Sequence, residues 1–139
     1  MQMNPILGPV LAMVGLTLVV WIALFVQRLG EMRRRRIDPQ RLASAAAATA
    51  LLEDRRAADN FRNLFELPVL FLVAALAALA TQVVDAVLVG LAWTFVALRA
   101  VHSLVHCSYN RVMHRFIAYL LSSLVLWVMW VKLAWVWLA

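Results

Sequence analysis

The amino-acid sequence predicts an all-α integral membrane protein, a bundle of four helices that each cross the bilayer. Of the 139 residues, 65% are hydrophobic and only 14% are charged, which is far too apolar for a soluble domain. The apolar residues form four long runs separated by polar segments. The formal net charge of +6 arises mainly from arginines near the ends of these runs. This placement favours a membrane surface, and not nucleic acid, as the partner of the arginines.

The first apolar run, residues 5–27, is long enough to cross a hydrocarbon core of about 30 Å at about 1.5 Å per residue. A cleaved signal peptide is the competing interpretation of this run. No positively charged segment precedes it, the run is too long, and no small-residue cleavage site follows it. We therefore expect a permanent first membrane helix.

Residues 28–59 are polar, and we predict that they form a partly helical cytoplasmic loop. Arginines occupy residues 33–36, where their ordinary role is to fix the topology and to contact lipid headgroups. Asp38 before Pro39 is typical of a helix N-cap followed by proline at the first helical position. This loop and the segment after the third helix hold nearly all the arginines, so both chain termini are expected on the non-cytoplasmic side.

The second membrane helix is predicted over residues 60–81, and polar residues fill its first turns. These residues include Asn60, Arg62, Asn63 and Glu66. Asn63 and Glu66 are three residues apart and therefore share a helix face. N-terminal capping accounts for Asn60. Glu66 lies two turns into the predicted helix, where a carboxylate either pairs with a cation or binds a ligand.

The third membrane helix is predicted over residues 83–109, after a short connection that makes it an antiparallel neighbour of the second helix. Arg99, His102 and His106 share one face of this helix. Counted from the arginine-rich side, Glu66 and Arg99 come to similar depths in the membrane. This match in depth predicts an ion pair or a shared polar pocket between the two residues.

The histidines of the third helix raise the question of a metal site. His102 and His106 are four residues apart, Cys107 follows them, and imidazole and thiolate suit zinc or copper. On an unbroken helix, however, Cys107 points about 100° away from His106, so the three groups do not converge. We therefore predict no metal site and expect the histidines to form hydrogen bonds in a polar cavity between helices.

The fourth membrane helix is predicted over residues 114–137, with Arg111 and Arg115 at its start. Asn110 and the surrounding charges indicate that the third helix ends before Arg111, so that Arg115 turns into a cleft. From the residues alone, Arg115 is either a membrane-surface anchor or a functional cation. The end of the fourth helix carries an interfacial belt of tryptophans, namely Trp127, Trp130, Trp135 and Trp137.

Two segments resemble the family of membrane-associated proteins in eicosanoid and glutathione metabolism, called MAPEG. The segment RRAADNFRNLFELPVLF is similar to the family's motif of arginine, asparagine, glutamate and proline at the start of helix two. The segment RAVHSLVHCSYNRVMHR is similar to the helix-three motif. In that motif an arginine is followed by a histidine three residues later and by two further arginines, twelve and sixteen residues after the first. The resemblance is to bacterial-type members that are similar to microsomal glutathione transferases, and it covers the chain from about Arg55 onward.

The resemblance implies one domain over residues 1–139, a homotrimer of four-helix subunits, and a location in a bacterial inner membrane. It implies a glutathione-dependent transferase or peroxidase that acts on lipophilic electrophiles or lipid hydroperoxides, with glutathione as co-substrate. Arg115 resembles the arginine that stabilises the glutathione thiolate. The other residues that the resemblance places in the glutathione pocket are Asn60, Arg62, Asn63, Glu66, Arg99, His102 and Arg111.

The sequence departs from the family pattern at several positions. The spacing between Glu66 and Pro68 is shorter than in the eukaryotic enzymes, and either Asn60 or Asn63 matches the motif asparagine. His106 stands where relatives often carry tyrosine. The alternative function is therefore a non-catalytic lipid-binding or scaffold protein of the membrane.

Overall fold

The computed structural model describes residues 4–139, so the first three residues of the predicted domain lie outside the described range. Within that range all regular structure is helical, as predicted. Four segments are long and apolar enough to cross a membrane, which confirms the four-helix membrane bundle. The helices in chain order are α1 (Leu7–Arg35), α2 (Ala45–Leu51), α3 (Arg56–Asn63), α4 (Leu67–Ala80), α5 (Ala86–Cys107) and α6 (Val112–Leu138), and α3 and α4 together make the second span.

The first helix, α1, continues beyond the predicted membrane span and ends at Arg35. Arginines in its last turn are favourable because the C-terminal end of a helix carries partial negative charge. Arg36 then adopts a left-handed backbone conformation with φ 52°; its N–H donates to the carbonyl of Arg33, and the N–H of Ile37 donates to the carbonyl of Met32. This cap ends the helix by satisfying carbonyls that have no partner within it.

The polar segment after α1 is partly helical, as predicted. A 3-10 helix spans Pro39–Leu42, and the carboxylate of Asp38 accepts a hydrogen bond from the N–H of Gln40 at 2.9 Å. The short helix α2 follows, with Ser44 as its N-cap. Both starts satisfy backbone N–H groups that the helices cannot.

Glu31 on α1 holds the end of this polar segment against the bundle. Its buried carboxylate accepts hydrogen bonds from the N–H groups of Glu53 at 2.7 Å and Asp54 at 3.3 Å. Arg35 pairs with the same carboxylate at 2.8 Å and donates to the carbonyl of Leu51 at 2.8 Å. These contacts fix the backbone immediately before the second membrane span.

The second membrane span is interrupted, whereas the sequence predicted a continuous helix. Residues 64–66 separate α3 from α4. Pro68 lies in the first turn of α4, where a missing N–H costs nothing because that turn has no helical acceptor. The break places Glu66 at the N-cap position of α4, and its side chain is exposed instead of buried in a helix interior.

The apolar core lies in the half of the bundle away from the arginines. Phe71 of α4 and Phe95 of α5 are fully buried, and their rings stack with centroids 4.7 Å apart. The helices α5 and α6 pack against each other extensively. Asp85 at the start of α5 and Lys132 near the end of α6 form an ion pair at 2.7 Å, so these two helices are antiparallel.

Candidate functional site

A cavity of about 400 Å³ lies between α3, α5 and α6, near the end of the bundle that carries residues 33–36 and Arg115. We call this the arginine-rich end and the cavity the Arg115 cavity. Three helices contribute to its walls, and most of the lining side chains are polar. The lining residues are Asp59, Asn63, His102, His106, Val112, Arg115, Phe116 and Tyr119. Asn63, His102 and Arg115, which the sequence analysis singled out, therefore come together in one cavity.

The turn between α5 and α6 sets the position of Arg115. Asn110 has a left-handed conformation with φ 50°, which asparagine tolerates better than most residues, and its N–H donates to the carbonyl of Val105 at 2.9 Å. The chain then reverses, and α6 begins at Val112. Arg115 Nη1 donates to Asn110 Oδ1 at 2.9 Å, the one side-chain partner of this guanidinium in residues 4–139. Its other N–H groups are therefore free to bind a ligand in the cavity.

Two histidines of α5 line the same cavity. His102 Nδ1 lies 3.0 Å from the carbonyl oxygen of Arg115, and because a carbonyl only accepts, this nitrogen carries the proton. The His106 ring stacks on that of His102 with centroids 5.6 Å apart. His106 Nδ1 is buried and has no hydrogen-bond partner among the described residues. A buried polar atom of this kind calls for a partner from a ligand or water.

Arg99 is a fully buried cation behind the cavity wall. Its Nη2 donates to both oxygens of Asn63, the backbone carbonyl at 3.2 Å and the side-chain Oδ1. Its Cζ lies 5.7 Å from the centre of the Tyr119 ring, a distance suited to a cation–π interaction. Nε and Nη1 are buried without a partner in the described part of the chain. These unpaired donors suit an anionic ligand, because a buried charge is costly without compensation.

Glu66 reaches Arg99 only through Asn63. Asn63 Nδ2 donates to Glu66 Oε2 at 2.8 Å, while the oxygens of Asn63 accept from Arg99. The direct ion pair that similar depth suggested does not form between these two residues, because the helix break leaves Glu66 at the surface. An amide can bridge a cation and an anion since it has both an acceptor and a donor.

Three other predicted residues lie outside the Arg115 cavity. Asn60 is fully buried between α3 and α5, where it donates to Cys107 Sγ at 3.3 Å and accepts from Ser103 Oγ at 3.3 Å. Arg62 lines a different cavity, beside α1. Arg111 is exposed at the N-cap position of α6. Asn60 therefore links α3 to α5, whereas Arg62 and Arg111 do not line the Arg115 cavity.

The sequence analysis did not assign a role to Phe116 or Tyr119, which both line the cavity. A signal for Tyr119 was present, because it follows Arg115 by four residues and therefore shares its helix face. Phe116 had no such signal. Asp59, to which the sequence analysis also assigned no role, lies in the first turn of α3, where acidic side chains are favourable.

A neighbouring cavity of about 490 Å³ adjoins the Arg115 cavity at the arginine-rich end, since Asp59 and His106 line both. Asp54 and Arg56 also line this second cavity and form an ion pair at 2.7 Å. The hydrogen bond from Arg56 is the main cause that lowers the pKa of the Asp54 carboxyl below its ordinary value. The cavity next to the Arg115 cavity is thus lined by polar and charged side chains.

Four long apolar helices define a multi-pass integral membrane protein, and three of its segments, α3, α5 and α6, enclose a partly polar cavity. The sequence profile of the MAPEG family matches residues 6–135, nearly the whole chain. The chain belongs to the MAPEG family, whose members are membrane proteins of eicosanoid and glutathione metabolism. Neither the comparison with curated proteins nor the comparison with solved structures gives a significant match.

Proposed function

We propose that this protein is a membrane-embedded, glutathione-dependent transferase or peroxidase that acts on lipophilic electrophiles or lipid hydroperoxides. One observation carries the proposal: the guanidinium of Arg115, with a single side-chain partner, faces a cavity of about 400 Å³ in a MAPEG chain. Val112 and Phe116 add apolar walls to the same cavity. A charged sulfur and an apolar substrate can therefore meet there.

The chemistry needs Arg115 as a fixed positive charge beside the sulfur of glutathione. A thiol with a pKa near 8.5 is mostly protonated at neutral pH, and an adjacent cation in a poorly solvated site lowers that pKa by about a unit or more. Arginine suits this role because it stays protonated. The thiolate itself is the nucleophile, so no serine or cysteine of the protein has to attack the substrate.

The same thiolate serves both proposed reactions. In the transferase reaction its sulfur forms a bond to an electrophilic carbon of the substrate, the bond from that carbon to the leaving group breaks, and the leaving group departs with the bonding electron pair. In the peroxidase reaction the sulfur attacks the terminal oxygen of the hydroperoxide, the O–O bond breaks, and the lipid alkoxide leaves and takes a proton from water to become the alcohol. A second glutathione then converts the sulfenic acid to glutathione disulfide and releases water.

The residues around Asn63 suit the peptide part of glutathione, which carries two carboxylates and an ammonium group. Arg99 and Glu66 do not line the Arg115 cavity, but both form hydrogen bonds with Asn63, which does. The positive charge of Arg99 behind Asn63 favours a carboxylate there, and the exposed carboxylate of Glu66 favours the ammonium group. Asn63 links the two and holds them at fixed separation. His102 presents its unprotonated Nε2 as a further acceptor.

The proposal includes a homotrimer with both termini on the non-cytoplasmic side of a bacterial inner membrane. The concentration of arginines at one end of the bundle supports this orientation. Glutathione would then enter from the cytoplasm and the apolar substrate from the bilayer. The exposed Glu66, in a membrane span, supports cover by a neighbouring subunit. Native mass spectrometry should give the mass of a trimer, and a stable folded monomer would contradict the assembly.

The function is tested by adding glutathione to the purified protein in detergent at neutral pH. We expect the ultraviolet absorbance of a thiolate to appear in proportion to the protein concentration. S-methylglutathione is the matched control, because it fills the site but has no ionisable thiol, and it should compete without producing the signal. Binding of glutathione without thiolate absorbance would instead support a non-catalytic member of the family.

A further inference from the structure

A separate cavity at the arginine-rich end gathers three arginines between α1, α2 and α3. Its volume is about 80 Å³, and Arg28, Arg55 and Arg62 all line it. We propose that this cavity binds a phosphate group, supplied by the headgroup of an anionic phospholipid or by a soluble phosphate. We call it the Arg28 cavity. It shares no lining residue with the Arg115 cavity, so the inference stands independently of the proposed function.

The charge on the walls of the Arg28 cavity is positive and incompletely compensated. Asp54 is the acidic residue in its lining, and Arg56 already binds that carboxylate through Nη2 at 2.7 Å and Nε at 3.0 Å. Arg55 pairs with an acidic side chain of α3 at 3.2 Å. Arg28 and Arg62 form no ion pair with any residue in the described range. Two guanidinium groups therefore face the cavity without a counter-ion.

The strongest single observation is the buried Nε of Arg28, which has no hydrogen-bond partner within residues 4–139. Its neighbour Gln27 is not its partner: Gln27 Oε1 accepts from the N–H of Ala57 at 3.2 Å and forms no hydrogen bond with Arg28. An unpaired buried donor costs free energy until a ligand or water binds it. The donors of a guanidinium form a planar fork that matches two oxygens of a phosphate.

The size of the cavity fits a phosphate group and not a whole lipid molecule. One water in the liquid occupies about 30 Å³, so about 80 Å³ holds a group of a few heavy atoms. The position of the cavity favours a lipid as the source of the group. Arg28 directly follows the apolar part of α1, at the depth where phospholipid headgroups begin. Leu24 and Leu52 provide an apolar wall for the glycerol backbone.

A phosphate in this cavity would neutralise Arg28 of α1 and Arg62 of α3 together. Arg62 resembles a residue of the family's glutathione pocket, but its position beside α1 gives it a different ligand here. The bound group would join the first and second membrane spans at the arginine-rich end. The run at residues 33–36 lies further along the chain and lines no part of this cavity.

The test uses calorimetry on the full chain in a phosphate-free sugar detergent. The probes are dihexanoyl phosphatidic acid, which carries the lipid backbone, and inorganic phosphate, which does not. The variant is Arg28→Gln with Arg62→Gln, and the matched control is Arg33→Gln with Arg36→Gln, which removes equal charge from exposed positions. We expect the pocket variant to lower the affinity for the lipid by about 100-fold, roughly tenfold per arginine, and the control by less than about threefold.

The outcomes separate the site from its ligand source. Equal losses of lipid affinity in both double variants would overturn a discrete site, as would failure of both probes to bind the parent protein. Inorganic phosphate that binds as tightly as the lipid, and is lost in the pocket variant, would support the site and overturn the lipid as its source. If the double variant does not fold, the single variant Arg28→Lys replaces it, because lysine keeps the positive charge but lacks the planar set of N–H donors. The Arg28→Lys protein should bind the lipid several-fold more weakly than the Arg33→Lys protein, and equal affinities would overturn the role of Arg28.

Discussion

The two ends of the bundle are built in opposite ways. At the arginine-rich end, residues 64–66 and 108–111 interrupt the helices, and polar side chains face open cavities. At the other end, α4 to α6 run without a break, and large apolar side chains such as Phe71, Phe95 and Leu133 are fully buried. One end is therefore tightly packed, and the other contains the cavities in which we propose that ligands bind.

The distribution of unsatisfied polar atoms sharpens this comparison. In residues 4–139 the buried side-chain atoms without a hydrogen-bond partner belong to Arg28, Arg99 and His106. All three lie toward the arginine-rich end of their helices, and the apolar half contains none in that described range. Buried polar atoms without a partner cost free energy, so each calls for a partner from a ligand or water. The contrast teaches that the unmet hydrogen bonds of this protein are concentrated in the half that contains the Arg115 and Arg28 cavities.

The largest loss of stability is expected when a large buried side chain in the apolar half is shortened. Phe95→Ala should lower the free energy of unfolding by about 3–5 kcal/mol, because it removes a fully buried ring that stacks on Phe71. Unfolding by a denaturing detergent, followed by circular dichroism, measures the loss. The control Leu104→Ala lies on the same helix but is 69% exposed, and it should cost much less. Equal losses would contradict the contrast between a packed and an open half.

A smaller effect is expected at the Asn63 bridge. Asn63→Ala should cost about 1–3 kcal/mol, because buried Arg99 loses its side-chain acceptor. Combined with Arg99→Leu, the loss should be clearly less than the sum of the single losses, since both changes remove one interaction. Glu66→Gln with Arg99→Leu should show a weaker coupling than the first pair, because these two side chains do not touch and are linked only through Asn63. Coupling in the second pair as strong as in the first would contradict a link that runs only through Asn63.

The smallest effect is the pH dependence of the stability that two aspartates contribute, one at each end of the bundle. The pKa values of Asp54 and Asp85 are lowered, first by the hydrogen bonds from Arg56 and Lys132 respectively. A carboxyl with a lower pKa in the folded state stabilises the fold above its unfolded pKa, about 3.9, and loses that contribution as the pH falls through the folded value. Unfolding midpoints measured from neutral pH down to about pH 3 should therefore decrease in acid.

The two aspartates should differ in size of effect. Both ion pairs are partly solvated, with side-chain exposures of 33% for Asp54 and 52% for Asp85, so each contributes little. Asp54→Asn should reduce the fall of the unfolding midpoint in acid more than Asp85→Asn does, because Asp54 is the less exposed of the two. A larger reduction in Asp85→Asn would reverse the expected order.

The sequence predicted the features that depend on local pattern. Four apolar runs gave four membrane spans, Asp38 and Pro39 gave the capped 3-10 helix, and motif spacing gave the family. It did not predict the break at residues 64–66, because Pro68 is compatible with either a kinked helix or a new helix start. The missing ion pair to Arg99 follows from that one error.

The site was predicted only in part for a similar reason. Asn63, His102 and Arg115 have a spacing that brings them to one face or one depth, and the structure places all three around the Arg115 cavity. The position of Arg62 beside α1 depends on which face of α3 packs against α1, and these two helices are distant in the sequence. No local pattern in the sequence carries that information.

The central claim is that Arg115 stabilises the thiolate of glutathione in the open end of the bundle. The most direct measurement is thiolate absorbance against pH at saturating glutathione in the parent, in Arg115→Ala and in the control Arg41→Ala, which removes an exposed arginine. Calorimetry on the same proteins gives the affinity for glutathione. We predict that Arg115→Ala still binds glutathione but raises the pKa of its thiol by about a unit or more toward 8.5, while Arg41→Ala leaves it unchanged. A bound-thiol pKa in Arg115→Ala equal to that of the parent would contradict the claim.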